Sequence, residues 1–182
     1  PLGVQLDLLY TARRLWRARL GECSLGSVER GVLGLSRLQD LPSGEVPERY
    51  FAFLRSTDPT ALEDVFAHHL QDIESLVSLL ARAERIYADP LGAREVDRYQ
   101  LGRRLLGMGR EEGSVLLQQV ARESPSVREA VKAARELAKS YRLSRRYEDA
   151  AGVWRAVFNR HASVVAGIEV ARRREHRLRA YQ

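Results

Sequence analysis

The chain has 182 residues, 45% of them hydrophobic and 30% charged, with a net charge of +6. Such a balance supports one sizeable core, or a compact domain with an appended helical array, and excludes a disordered polypeptide. Cys23 is the sole cysteine, which excludes an internal disulfide and a cysteine-based zinc site and fits a reducing cytoplasm.

No apolar run approaches the roughly 18 residues of a spanning helix, and PLGVQLDLL lacks the basic flank and cleavage pattern of an export signal. The expectation is a cytoplasmic protein with no membrane partner. Charge is unevenly spread: residues 1 to 90 carry a net −3 and residues 91 to 182 a net +9. A basic second half attracts polyanions, nucleic acid first among them. Of the 30 basic residues only Lys132 and Lys139 are lysines, and arginine's planar fork suits phosphate contact.

In chain order, Val4 to Leu6 could close a β-strand. Asp7 then leads into a helix, LLYTARRLWRAR, with Leu8, Leu9, Ala12, Leu15 and Trp16 on its apolar face. Gly21 can stop it. Ser24 to Gly34 reads as a second helix with Leu25, Val28, Val32 and Leu33 inward. A loop with Pro42, Ser43 and Gly44 follows. VPERYFAFLRST starts with Pro47 near the first turn, where its missing amide costs nothing, and is expected to bury Tyr50, Phe51, Phe53 and Leu54.

Asp58 and Pro59 precede the longest helix, Thr60 to Tyr87. Leu62, Val65, Phe66, His69, Ile73, Leu76, Val77, Leu80 and Ala83 recur at the spacing of a buried helical face. Thr60 and Glu63 have the pattern of a capping box. His68 and Asp72 lie four residues apart, so a base and a carboxylate project from one edge of this helix. Spacing alone makes them a solvated pair more often than a catalytic one. The chemical case is that Asp72 is a hard oxygen ligand suited to Mg²⁺ or Mn²⁺, and that a neighbouring histidine can take a proton from water.

After Asp89, Pro90 and Gly92 the pattern becomes evenly spaced helices, near 95–106, 111–121, 126–143, 147–159 and 163–181. Ser126 with Glu129 forms a second capping-box pattern. Leu101, Gly102, Leu105, Ser114, Leu117 and Ala121 answer to Leu137, Ala138, Tyr141, Ala150, Val153 and Val157 at a constant offset of 36 residues. That offset is close to the period of about 34 of tetratricopeptide repeats, with small residues where helices cross. In this register polar Gln118 stands where the later copy has Trp154. The last helix looks like half of another repeat.

Trp16 and Trp154 fall on apolar helical faces and read as core. Gly107 and Gly109 in LLGMGR read as a turn, because no strand precedes them. In ARRREHRLR, Arg172, Arg173, Arg174 and Arg177 are the best electrostatic candidates for nucleic-acid contact.

Residues 5 to 80 resemble the C-terminal part of the YprB-type ribonuclease H-like proteins, members of the exonuclease superfamily named for its acidic residues D, E, D and D. The resemblance rests on DLLYTARRLW, CSLGSVERGVLG, and DLPSGEVPERYFAFLRSTDPTALEDVFAHHLQDIESLVSLL. The family's H-N-x-x-D followed by S-L matches His68, His69, Leu70, Gln71 and Asp72, then Ser75 and Leu76, with His69 standing where Asn is usual. The resemblance implies that Asp72 is the last metal-binding aspartate and His68 the general base or water-positioning residue. It also implies a tetratricopeptide-like tail, as family members carry. The family's first three acidic residues lie upstream of Asp7, on segments this chain lacks, and Asp7 itself falls at a structural position.

These observations set an expectation of an all-α chain. Residues 1–89 would be the helical C-terminal part of a ribonuclease H-like domain and residues 90–182 a tetratricopeptide-like array. The complete protein would be a metal-dependent exonuclease using Mg²⁺ or Mn²⁺ on DNA or RNA, and this chain, with one of four acidic residues, would be inactive alone. The contrasting expectation is a helical-repeat adaptor that binds a protein partner.

Overall fold

Polar side chains set the starts of several helices. Asp7 accepts a hydrogen bond from the Leu9 amide at 2.8 Å and opens α1, Leu8–Leu20, and Ser24 does the same for α2, Leu25–Val28, through the Ser27 amide. Each bond satisfies a donor that the first turn leaves unpaired, which stabilises a helix by about 1 kcal/mol. The computed structural model describes residues 5–37, 41–42 and 44–179, with the side chains of 173–179 excepted. Among the described residues the fold is all-α, with no strand. Gln5 and Leu6 take no regular structure, and Val4 lies outside the described residues. The chain forms two compact units, Pro1–Asp89 and Pro90–Gln182.

In the first unit α2 does not continue as an α-helix. Glu29–Leu33 forms a π turn that ends on Gly34, whose φ of 69° suits a residue without a Cβ. The wider turn holds Glu29 beside Val28 in the interior, and both are buried. α3, Val46–Ser56, begins with Pro47 in its first turn and buries nothing. The expected burial of Tyr50, Phe51 and Leu54 is therefore corrected: all three are exposed, and Phe53 is half-buried. The rings of Tyr50 and Phe51 are tilted against one another, with centroids 6.1 Å apart.

The longest helix, α4, spans Glu63–Ala88 and follows a 3-10 turn, Pro59–Leu62. Asp58 caps that turn by accepting from the Thr60 amide at 3.0 Å. α4 itself has no side-chain cap, so the Thr60 and Glu63 box does not form. The face that α4 buries is also not the one its apolar residues mark out. Ser75, Leu79, Ala83 and Ile86 are buried, whereas Phe66, Ile73, Leu76, Val77 and Leu80 are exposed, Phe66 by 66% and Val77 by 63%. α1 and the π turn pack against α4, and the small side chains Ser75 and Ala83 suit a close approach. Small residues carry little hydropathy, so periodicity points to the larger stripe instead.

The second unit is a stack of antiparallel helices: α5, Arg98–Gly107; α6, Glu111–Glu123; α7, Val127–Leu143; α8, Tyr147–His161; and α9, Val164–Arg179. Successive helices pack in order, α5 on α6, α6 on α7, α7 on α8 and α8 on α9. The core combines Leu117, Leu137, Tyr141, Trp154 and Val157 with Ala130, Ala133, Ala134, Ala138 and Ala150. Trp16 of the first unit and Trp154 are each buried in their own unit's core.

The two helix pairs turn alike. The Arg110 amide reaches the Leu105 carbonyl at 2.9 Å and the Arg146 amide reaches the Tyr141 carbonyl at 2.7 Å. Gly109 and Arg145 both hold a positive φ, 73° and 58°. First helices and turns thus match at the 36-residue offset. In the second helices burial matches one residue further on: Gly113 with Ala150, Leu117 with Trp154, and Val120 with Val157. Leu117, not Gln118, is the counterpart of Trp154, while Gln118 donates to the Tyr141 hydroxyl at 2.5 Å. The capping pattern at Ser126 is half-formed. Ser126 accepts from the Glu129 amide at 3.4 Å, but the Glu129 carboxylate takes the Ser124 hydroxyl at 3.1 Å instead of closing the box.

Gly113 marks a close crossing of α5 and α6. A Cβ there would lie 2.2 Å from the Leu106 nitrogen and 2.7 Å from the Gly102 carbonyl oxygen, both backbone atoms. Gly113→Ala is expected to destabilise the second unit by about 1–3 kcal/mol, the cost of overpacking. Gly152 in α8 has no atom within 4 Å of such a Cβ, so Gly152→Ala should add about 0.5–1 kcal/mol through helix propensity. Urea denaturation of both variants checks the opposite signs.

Candidate active site

The α4 turn that carries His68 and Asp72 lies on the sheltered side of the helix, where both are half-buried. His69 is exposed. His68 Nε2 and Asp72 Oδ2 stand 3.5 Å apart, the separation expected of residues one turn apart. Spacing could place that pair. It could not supply what stands over it.

Arg37, from the segment after the π turn, brings its guanidinium to both side chains. Nη2 donates to Asp72 Oδ1 at 2.5 Å, and Nη1 lies 3.1 Å from His68 Nδ1. The same guanidinium is anchored on Glu29, with Nε donating to Oε2 at 2.8 Å and Nη2 to Oε1 at 2.6 Å. Glu29 is 1% exposed and the Arg37 side chain 7%. A carboxylate this deeply buried requires a partner, and the rigid guanidinium fork matches its two oxygens.

The π turn makes the arrangement possible. It seats Glu29 inside, and its Gly31 carbonyl accepts from Arg19 Nη2 of α1 at 2.5 Å. Glu29 and Arg37 were not singled out from sequence. A signal existed, because Glu29 falls on the helical face of Leu25, Val28 and Val32, where a carboxylate implies a buried cation nearby. The position of Arg37, 35 residues before Asp72, gave no such hint.

Two carboxylates, one guanidinium and one imidazole thus converge. Arginine can only donate, so a hydrogen bond across the 3.1 Å to His68 requires Nδ1 to accept, with Nε2 left to carry a ring hydrogen beside Asp72. As placed, the ring offers no free lone pair on the side of Arg37. Among the described residues no group of three or more His, Cys, Asp or Glu could hold a metal ion, and Asp72 Oδ1 is engaged by Arg37. This donor set does not by itself fit a divalent cation.

Other residues fall elsewhere. Asp7 caps α1, a structural role. Arg172 is exposed on α9 and pairs with Glu169 at 3.2 Å, while the side chains of Arg173, Arg174 and Arg177 lie outside the described residues. Gly107 ends α5 and Gly109 forms the turn that follows. Burial pushes the Cys23 thiol upward, outweighing Arg13 and Arg17, so it stays protonated at neutral pH and is a poor nucleophile. No helix among the described residues is long and apolar enough to cross a membrane.

Residues 3–84 match the family model described as RNase_H superfamily. Over 96% of its length the chain is 30% identical to the uncharacterized protein YprB of Bacillus subtilis (strain 168), and it spans 43% of that protein. No solved structure matches it. The candidate pair and both residues that hold it lie within the matched region.

Breaking the buried pair should be costly. Arg37→Met strands the Glu29 carboxylate and is expected to destabilise the first unit by about 3–5 kcal/mol, whereas the double variant Glu29→Gln with Arg37→Met should recover much of that loss. Urea midpoints for the two variants measure the difference.

Proposed function

We propose that the chain, which matches the RNase_H superfamily model over residues 3–84 and is similar to YprB along 96% of its length, is part of a metal-dependent exonuclease acting on nucleic acid. In this reading Asp72 contributes one ligand for Mg²⁺ or Mn²⁺, and further carboxylates come from segments outside this chain. The single observation that carries the reading is the convergence of His68 and Asp72 on the sheltered face of α4, inside the region that matches the superfamily. The exposed apolar stripe of Phe66, Ile73, Val77 and Leu80 supports it as well. A packed layer over those side chains is what a larger domain would supply. Of the two roles open to His68, a hydrogen on Nε2 supports orienting a group over abstracting its proton.

The second unit would be the tetratricopeptide-like tail, binding substrate or a partner. Its net charge of +9 supports contact with a polyanion. A specific observation favours a helical-repeat adaptor as the second reading: Val164, Val165 and Ile168 lie exposed on α9, Val164 by 75%. Such side chains suit a protein partner.

The chain alone is expected to show no Mg²⁺- or Mn²⁺-dependent degradation of single-stranded DNA or RNA. Expressed together with any segment encoded upstream, it should degrade one of them. His68→Ala should then lower the rate by about 10–100-fold, the cost of losing an orienting partner, and Asp72→Asn should abolish it. Hydrolysis by the longer protein that survives Asp72→Asn would overturn the site assignment. Oligonucleotide affinity that falls steeply with salt would favour a nucleic-acid tail, whereas no binding even at low salt would favour the adaptor.

A further inference from the structure

We infer that Arg37 is a positioning residue for the His68 and Asp72 pair, with buried Glu29 as its anchor. The division of its donors is the basis. Nε and one Nη2 hydrogen go to the two Glu29 oxygens, which face the interior. The remaining Nη2 hydrogen goes to Asp72 Oδ1 and Nη1 faces His68 Nδ1.

A guanidinium is planar and its donors diverge at set angles. Once Glu29 fixes the plane, the directions in which Asp72 and His68 are held are fixed with it. A pair that existed only to neutralise Glu29 would need no donor pointing at α4. The anchor and the held residues come from different stretches of chain, Glu29 from the π turn and the pair from α4, so the guanidinium also ties the site turn to the wall behind it.

The consequence for His68 is specific. Because Nη1 can only donate, Nδ1 is held as an acceptor and the ring plane is set by Arg37, not by Asp72 alone at 3.5 Å. The chemical use of that orientation rests on the exonuclease reading, but the orientation itself does not.

The test is an NMR experiment on the isotope-labelled chain, with the His68 signals assigned by their loss in His68→Gln. In the wild-type protein a through-hydrogen-bond coupling between Arg37 Nη1 and His68 Nδ1 is expected, with Nε2 carrying the ring hydrogen. Arg37→Lys keeps the charge beside Glu29 but cannot form the fork. It should lose the coupling and move the Nδ1 resonance toward that of an imidazole nitrogen without a hydrogen bond, while far-UV circular dichroism shows the helices retained. Glu29→Gln leaves Arg37 in place and weakens its anchor, so it should weaken the same coupling.

A wild-type ring with its hydrogen on Nδ1, or a Nδ1 resonance unchanged in Arg37→Lys and Glu29→Gln, would overturn the inference. Should neither variant fold, the wild-type spectrum decides alone: presence of the coupling supports Arg37 as the positioning residue, and its absence sinks that role. None of these readings requires hydrolysis. An inactive longer protein would therefore count against the exonuclease and leave this result standing, and the converse also holds.

Discussion

The first unit depends on a carboxylate and a guanidinium that share the interior. Taking both ions out of water costs several kcal/mol each, and only a bidentate geometry with further acceptors recovers that cost. Glu29 and Arg37 meet the condition by recruiting Asp72 and His68. The chain segment after the π turn is thereby pinned to α4. Apolar contact alone is modest in this unit, since among the described residues its buried hydrophobic side chains are few: Ala12, Leu15, Trp16 and Val28, with Leu79, Ala83 and Ile86 of α4. A polar cluster of this kind supplies direction where a small core supplies only cohesion.

Much of the second unit was legible in the sequence and much of the first was not, and the reason is the same in both cases. In α5 to α8 the residues that mark the pattern are the ones that bury: Leu101, Leu105, Leu137 and Tyr141 meet partners within the same stack. In α4 the large apolar residues face outward and the helix docks through Ser75 and Ala83. Periodicity reports that a stripe exists and says nothing of which layer covers it. α3 shows the same thing, with Tyr50, Phe51 and Leu54 exposed.

For the candidate site, spacing and family resemblance reached His68 and Asp72 because they are neighbours along one helix. Arg37 was beyond that reach. Its contact to Asp72 crosses 35 residues and depends on a π turn, and a single residue of added helical winding has no signature in composition. π turns recur at functional sites because they re-aim a side chain without breaking the helix. Here the re-aimed side chain is Glu29, one step removed from the pair it supports.

The pairing of Gly113 with Ala150 bears on the form of the helical stack. Each crossing acts as a spacer between neighbouring helices, and the thickness of the spacer is the side chain at the crossing. At Gly113 an added Cβ would meet the backbone of α5, while the matching position, Ala150, carries a fully buried methyl. A helix pair that crosses at a glycine can therefore close further than one with a methyl at the same position. In a stack of helices, unequal spacing becomes curvature, so the side chain at each crossing is the point at which a single substitution would alter the bend.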